Sequence, residues 1–133
     1  MLKVEHIGIA VRSLKESVPL FEKLLHSECY KTEQVASENV STAFFQKGET
    51  KVELLESTME DGVISKFIDK KGEGIHHIAF EVEDLRKEMD RLVKEGFILL
   101  NEEPKIGADN KLVCFLHPKS TNSVLIELCQ ERK

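Results

Sequence analysis

An internal duplication constrains this chain more than any other feature. The stretch Ile75-His76-His77-Ile78-Ala79-Phe80-Glu81-Val82 is echoed near the N-terminus by His6-Ile7-Gly8-Ile9-Ala10-Val11. With His77 laid on His6, an offset of 71 (77 − 6), Ala79 meets Gly8, Phe80 meets Ile9, Val82 meets Val11 and Leu85 meets Leu14. A second echo joins Val52-Glu53-Leu54 to Ile126-Glu127-Leu128 at an offset of 74 (127 − 53), so the second copy carries three more residues of loop. Each copy reads as one strand bearing His near its start and another bearing Glu. Neither copy is large enough to close on itself, so the two must pack together to bury a core.

Taken in order, residues 3–11 alternate as a half-buried strand does, with His6, Gly8 and Ala10 sharing one face. Two of those three are small, which leaves room beside His6. Ser13-Leu14-Lys15-Glu16 opens a helix as a capping box, and Leu14, Val18, Phe21 and Leu25 form its apolar stripe. Pro19 lies inside that helix and should kink or shorten it. Strands are expected at 28–35, 40–47 and 51–56. Residues 57–73 form a linker with a short amphipathic helix (Val63, Ile64, Phe67, Ile68) that ends near Gly72. The order then repeats, with a strand at 75–82, a helix at 84–95 between Asp84 and Gly96, and strands at 97–100, 111–117 and 123–129. Loops fall at Pro104–Asn110 and Pro118–Asn122. The fold class is therefore α+β: two tandem β-α-β-β-β modules, 1–56 and 74–133, forming one domain with a cupped, barrel-like mixed sheet.

Composition closes off several functions. A net charge of −5 on 133 residues speaks against general nucleic-acid binding, which leans on clustered Lys and Arg. No apolar run approaches the roughly 20 residues of a membrane span, so no membrane partner is expected. The chain enters a strand pattern at once, which leaves no room for a signal peptide and points to the cytoplasm. Cys29, Cys114 and Cys129 form neither a CxxC pair nor an even framework, and read as free thiols.

If a pseudo-twofold axis relates the modules, His6 and His77 become equivalent, as do Glu53 and Glu127. Four such residues converging at the axis form a two-nitrogen, two-oxygen site. That donor set suits a divalent cation of octahedral preference with positions left for water or substrate. One His on an apolar strand is ordinary core, and one Glu on a strand is ordinary surface. Their recurrence at matched places is what carries the metal reading. Strand alternation sends His76 to the face opposite His77.

These residues resemble the vicinal-oxygen-chelate superfamily, and within it the methylmalonyl-CoA epimerase family. The match spans nearly the whole chain. It rests on His6-Ile-Gly-Ile-Ala-Val, Lys51-Val-Glu-Leu-Leu, Gly74-Ile-His-His-Ile-Ala-Phe-Glu-Val and Glu103-Pro-Lys-Ile-Gly-Ala. The most specific block is Phe115-Leu-His-Pro-Lys followed by Val124-Leu-Ile-Glu-Leu. The resemblance implies that His6, Glu53, His77 and Glu127 bind a divalent metal. Cobalt is the first expectation, with manganese, magnesium, zinc or nickel as alternatives. It implies an acyl-CoA substrate, epimerised at C2 through a metal-stabilised enolate, and a homodimer. Glu127 is the candidate base, and Lys105 and Lys119 are the candidate contacts for the CoA phosphates. An acidic residue proposed as second base in some members falls in the strand that here reads Val40-Ser41-Thr42-Ala43-Phe44, where there is no Glu, only Glu38 just upstream. Another enzyme of the same architecture, such as a glyoxalase-like lyase, would share the ligands but not the Pro-Lys-Ile-Gly and Leu-His-Pro-Lys blocks together. A non-catalytic binding module would have no use for paired His and Glu. An extradiol dioxygenase needs only a His, His, Glu set.

Overall fold

The computed structural model describes residues 1–132. Its eight strands are β1 (Lys3–Ala10), β2 (Lys31–Val35), β3 (Val40–Lys47), β4 (Thr50–Ser57), β5 (Gly74–Glu81), β6 (Lys105–Ile106), β7 (Lys111–Leu116) and β8 (Ile126–Glu131). Three helices, α1 (Leu14–Leu25), α2 (Val63–Lys71) and α3 (Leu85–Lys94), separate them. All strands join one curled mixed sheet in the order β2-β3-β4-β1-β5-β8-β7-β6. At its centre β1 runs antiparallel to β5. Outward from there, β1 pairs parallel with β4 and β5 parallel with β8, so the two sides repeat one pattern.

Local chemistry sets the helix ends. Ser13 Oγ accepts from the Glu16 backbone N–H at 3.3 Å, and Asp84 Oδ1 accepts from that of Lys87 at 3.1 Å. Pro19 does not break α1, which runs unbroken to Leu25 before His26 turns left-handed (φ 50°). The apolar stripe of α1 packs on Ala43, Phe45 and Leu54 on one face of the sheet. On the same face α3 buries Leu85, Met89 and Leu92 against Cys114, Leu116 and Leu128. The other face is treated unequally. Over the first half, α2 lays Ile64 and Ile68 on Ala10, Val35, Val40 and Leu55. Over the second half, Ala79, Val113 and Cys129 gather with Phe115 and no helix joins them.

Three strands differ from their expected places. Residues 97–100 form no strand, only a single bridge between Leu99 and Leu116. The Asn101 side chain explains this: its Oδ1 accepts from the Phe115 N–H at 2.9 Å, replacing a backbone carbonyl and ending the ladder. The edge strand forms instead as β6, inside the expected loop, where Lys105 and Ile106 pair with Val113 and Leu112. At the last hairpin Asn122 and Ser123 both take left-handed conformations (φ 54° and 68°), and β8 starts at Ile126 rather than 123. Likewise β2 starts at Lys31 rather than 28.

The central pairing carries two bulges. Val4 faces Phe80 and His6 faces Ala79, which leaves Glu5 as the extra residue of β1. Gly8 faces His77 and Ile9 faces Ile75, which leaves His76 as the extra residue of β5. Glu5 and His76 are separated by 71 positions (76 − 5), the offset of the duplication itself. Each bulge immediately precedes a repeated histidine and re-aims the side chains around it.

Candidate metal and acyl site

The central strands bring three of the four candidate ligands together. His6 Nε2 lies 3.0 Å from His77 Nε2, and Glu127 Oε1 lies 3.4 Å and 3.0 Å from those two nitrogens. The three residues are buried, and one ligand atom from each falls within 4.8 Å of the others. Glu53 is equally buried but meets the other edge of the His6 ring, its Oε2 3.2 Å from Nδ1. The site depends on Gly8. A Cβ there would stand 2.3 Å from His77 Cε1, so only glycine lets the His77 ring cross the axis.

Behind each imidazole stands its bulge residue. Glu5 Oε1 accepts from His6 Nδ1 at 2.7 Å, while Glu5 Oε2 is 2.9 Å from Lys51 Nζ. Lys51 pairs with Asp109, and Asp109 Oδ1 accepts from Lys31 Nζ at 2.6 Å. On the other side, His76 Nδ1 lies 3.0 Å from His77 Nδ1, and the Phe67 ring of α2 sits edge-on at 5.0 Å between centroids. Alternation would turn His76 away. The bulge brings it to the cavity lining instead.

Charge divides this way for physical reasons. Burial alone would depress the His6 imidazolium, but Glu53 and Glu127 override it and raise its pKa to about 10. Burial would also raise Glu127, yet the His6 charge and hydrogen bonds from His6 and His77 hold it well below the carboxylate range. Glu53 is pushed up to about 7 by burial, with Glu127 and Glu5 adding repulsion that His6 only partly offsets. His76 is pulled down to about 4, first by burial and then by His77, so it is a neutral acceptor at physiological pH. Glu5 resists burial and is held at about 2 by His6 and Lys51. Cys129 lies within ligand distance of Glu5 and His6, but burial pushes its thiol up and keeps it protonated.

A cavity opens beside these residues. Its walls are mostly apolar: Val35, Val40 and Leu55 from the first half, Val113 and Phe115 from the second, and Ile64 from α2. Thr42 and Glu38 supply polar atoms to the same wall. Neither expected phosphate contact lines it. Lys105 Nζ forms a 2.7 Å ion pair with Glu38 across the two halves, and Lys119 is exposed in the turn after β7. That turn also gives the Leu-His-Pro-Lys block a structural role: His117 Nδ1 accepts from the Lys119 N–H at 3.0 Å and closes it. Sequence reasoning missed Glu5, Lys51, Asp109 and Thr42. For Glu5 a signal existed, a charged residue beside His6 at the repeat position of His76. For Asp109 there was none.

Comparison with known proteins bears on the family and the fold. Residues 5–115 match the Glyoxalase/Bleomycin resistance protein/Dioxygenase superfamily model. The chain is 38% identical over 130 residues to the ethylmalonyl-CoA/methylmalonyl-CoA epimerase of Cereibacter sphaeroides, covering 96% of this chain and 97% of the relative. It superposes with a TM-score of 0.94, at 31% identity, on a Streptomyces coelicolor methylmalonyl-CoA epimerase variant in complex with 2-nitronate-propionyl-CoA, over 100% of this chain and 99% of the other. A methylmalonyl-CoA epimerase in complex with methylmalonyl-CoA and an ammonium ion superposes at a TM-score of 0.93 and 31% identity, over 98% of this chain and 95% of the other.

Proposed function

The chain belongs to the methylmalonyl-CoA epimerase family of the glyoxalase and dioxygenase superfamily, an isomerase family, and on that premise we propose a metal-dependent epimerase acting at C2 of methylmalonyl-CoA. The observation that carries this reading is the convergence of buried His6, His77 and Glu127 on the lining of a mostly apolar cavity. Two imidazoles and a carboxylate with their ligand atoms within 4.8 Å of one another fit a divalent cation, which would displace the proton His6 carries in its absence. Glu53 is the proposed fourth ligand, and cobalt the proposed metal. When bound, such a cation supplies Lewis-acid stabilisation of negative charge at the thioester oxygen.

The chain's own groups do the rest. His6 and His77 present Nε2 inward because Nδ1 is held from behind, by Glu5 in one half and His76 in the other. Glu127 is the proposed base at C2, a carboxylate already ionised and aimed into the cavity. Val35, Val40 and Leu55 give the acyl group an apolar wall to pack against. Lys105, on β6, and Lys119, in the turn after β7, are the proposed contacts for the CoA phosphates. The two halves are proposed as equivalent modules, 1–56 and 74–133, of one domain, supported by their matched strand order and matched bulges. A cytoplasmic homodimer completes the proposal, and kinship with a bacterial epimerase supports the cytoplasmic location. Among the described residues no helix is long and apolar enough to cross a membrane.

The test is proton exchange at C2 of methylmalonyl-CoA in deuterated buffer, with and without chelator. Exchange that is abolished by chelator and restored by a divalent metal is the expected result. Exchange that ignores the chelator overturns the metal dependence, and no exchange at all overturns the activity.

A further inference from the structure

Folded proteins rarely bury a hydroxyl without a partner, because the lost hydration is not returned. Among the described residues two buried side-chain oxygens lack a hydrogen bond, Thr42 Oγ1 and Glu38 Oε1. Both line the same cavity. The Glu38 oxygen has the Lys105 ammonium at 2.7 Å to balance its charge. Thr42 has nothing. It is 0% exposed, fixed in the middle of β3 between Glu33 of β2 and Leu55 of β4. Its neighbours on that face, Val40 and Leu55, are apolar and line the cavity with it.

The chemistry of the lining says what Thr42 can meet. Glu38 and Glu127 are carboxylates and repel an anion, and the Glu53 carboxyl is engaged with His6 Nδ1 at 3.2 Å. His6 and His77 face one another and Glu127, and His76 is engaged with His77. The Thr42 hydroxyl is therefore the uncommitted neutral donor on the wall. An acyl group that carries a second carboxylate brings oxygens that need such a donor when they leave water. We infer that Thr42 is a positioning residue that donates a hydrogen bond to the free carboxylate of a malonyl-type thioester, and so selects substrates that carry one. This rests on the acyl-CoA reading given above. It explains why a hydroxyl persists where valine, the same shape, would pack without penalty.

Thr42→Val and Thr42→Ser separate this role from a structural one. Binding of malonyl-CoA and of propionyl-CoA, which lacks the second carboxylate, is measured for each variant alongside KM for methylmalonyl-CoA. Thr42→Val should weaken malonyl-CoA binding and raise KM by about ten- to a hundredfold, the usual range for a hydrogen bond to a charged group. Its propionyl-CoA affinity should not change, and its Tm should be equal or higher, since an unsatisfied hydroxyl has gone. Thr42→Ser should keep malonyl-CoA binding near wild type. Unchanged malonyl-CoA binding in Thr42→Val overturns the inference, as does equal loss for both thioesters. If the valine variant does not fold, Thr42→Ser against Thr42→Ala makes the same comparison, and equal malonyl-CoA affinity overturns it. Failure of wild-type protein to exchange the C2 proton would count against the epimerase reading alone, because the two binding measurements still decide the role of Thr42.

Discussion

The two halves place a bulge at the same point and fill it with opposite chemistry. In the first, Glu5 holds His6 and passes its charge to Lys51, Asp109 and Lys31. In the second, neutral His76 holds His77 and rests on the Phe67 ring. Geometry is thus repeated while electrostatics is not. The carboxylates follow suit, with Glu127 held ionised and Glu53 pushed up to about 7. A duplicated scaffold can supply matched ligand positions, yet a proton-transfer site needs its two sides to differ.

The strongest way to break the comparison is to equalise the carboxylates. Glu127→Gln should keep part of its metal while C2 exchange falls by about two to four orders of magnitude, the usual share of a general base. Glu53→Gln should cost less than about tenfold, because the amide keeps one oxygen that can ligate the metal. Near wild-type exchange by metal-loaded Glu127→Gln would reduce Glu127 to a ligand and move the search for the base to Glu38 and Glu53.

Exchanging the supports comes next. Glu5→Gln should weaken metal binding by about 10- to 100-fold, the range for losing a group that orients a ligating imidazole. His76→Ala should fall at the lower end of that range, since a neutral acceptor adds less basicity to His77 than a carboxylate adds to His6. Metal titration of the two variants checks the order, and equal losses would erase the asymmetry.

At the axis itself, Gly8→Ala and Ala79→Gly are the matched pair. The first drives a methyl against the His77 ring, 2.3 Å from Cε1, and should lower stability by about 1–3 kcal/mol and displace a ligand. Ala79→Gly adds no atom near a ligand and should retain metal. Thermal unfolding and metal content measure both.

The smallest effect is in pH. In the metal-free protein Glu5 titrates at about 2, below its ordinary 4.5, because His6 and Lys51 overcome the cost of burial. A depressed carboxylate contributes stability that is complete above about pH 4.5 and is lost as the pH falls toward 2. Metal-free wild type should therefore exceed Glu5→Gln in Tm by several degrees at pH 7, and the gap should narrow across that window. A gap that stays constant down to pH 2 would remove Glu5 from the charge balance.

Much of this was legible in the chain because the duplication repeats both pattern and chemistry. Alternation around His6 and Gly8, the caps at Ser13 and Asp84, and the matched His and Glu are local signals. They suffice for the α+β class, the module order and the ligand candidates. Tertiary structure decided what local patterns cannot encode. Strand alternation assumes an unbroken ladder, so it placed His76 on the wrong face, and only the β1–β5 pairing reveals the bulge. The Asn101 side chain displaced an expected strand because a distant backbone N–H, that of Phe115, was there to be bonded. Asp109 reached Lys51 and Lys31 across more than 50 residues through sheet curvature. Thr42 acquired meaning only when folding buried its hydroxyl against a cavity with no partner in reach. Side-chain periodicity belongs to the sequence, whereas the partner a buried polar atom finds, or lacks, is set by long-range packing.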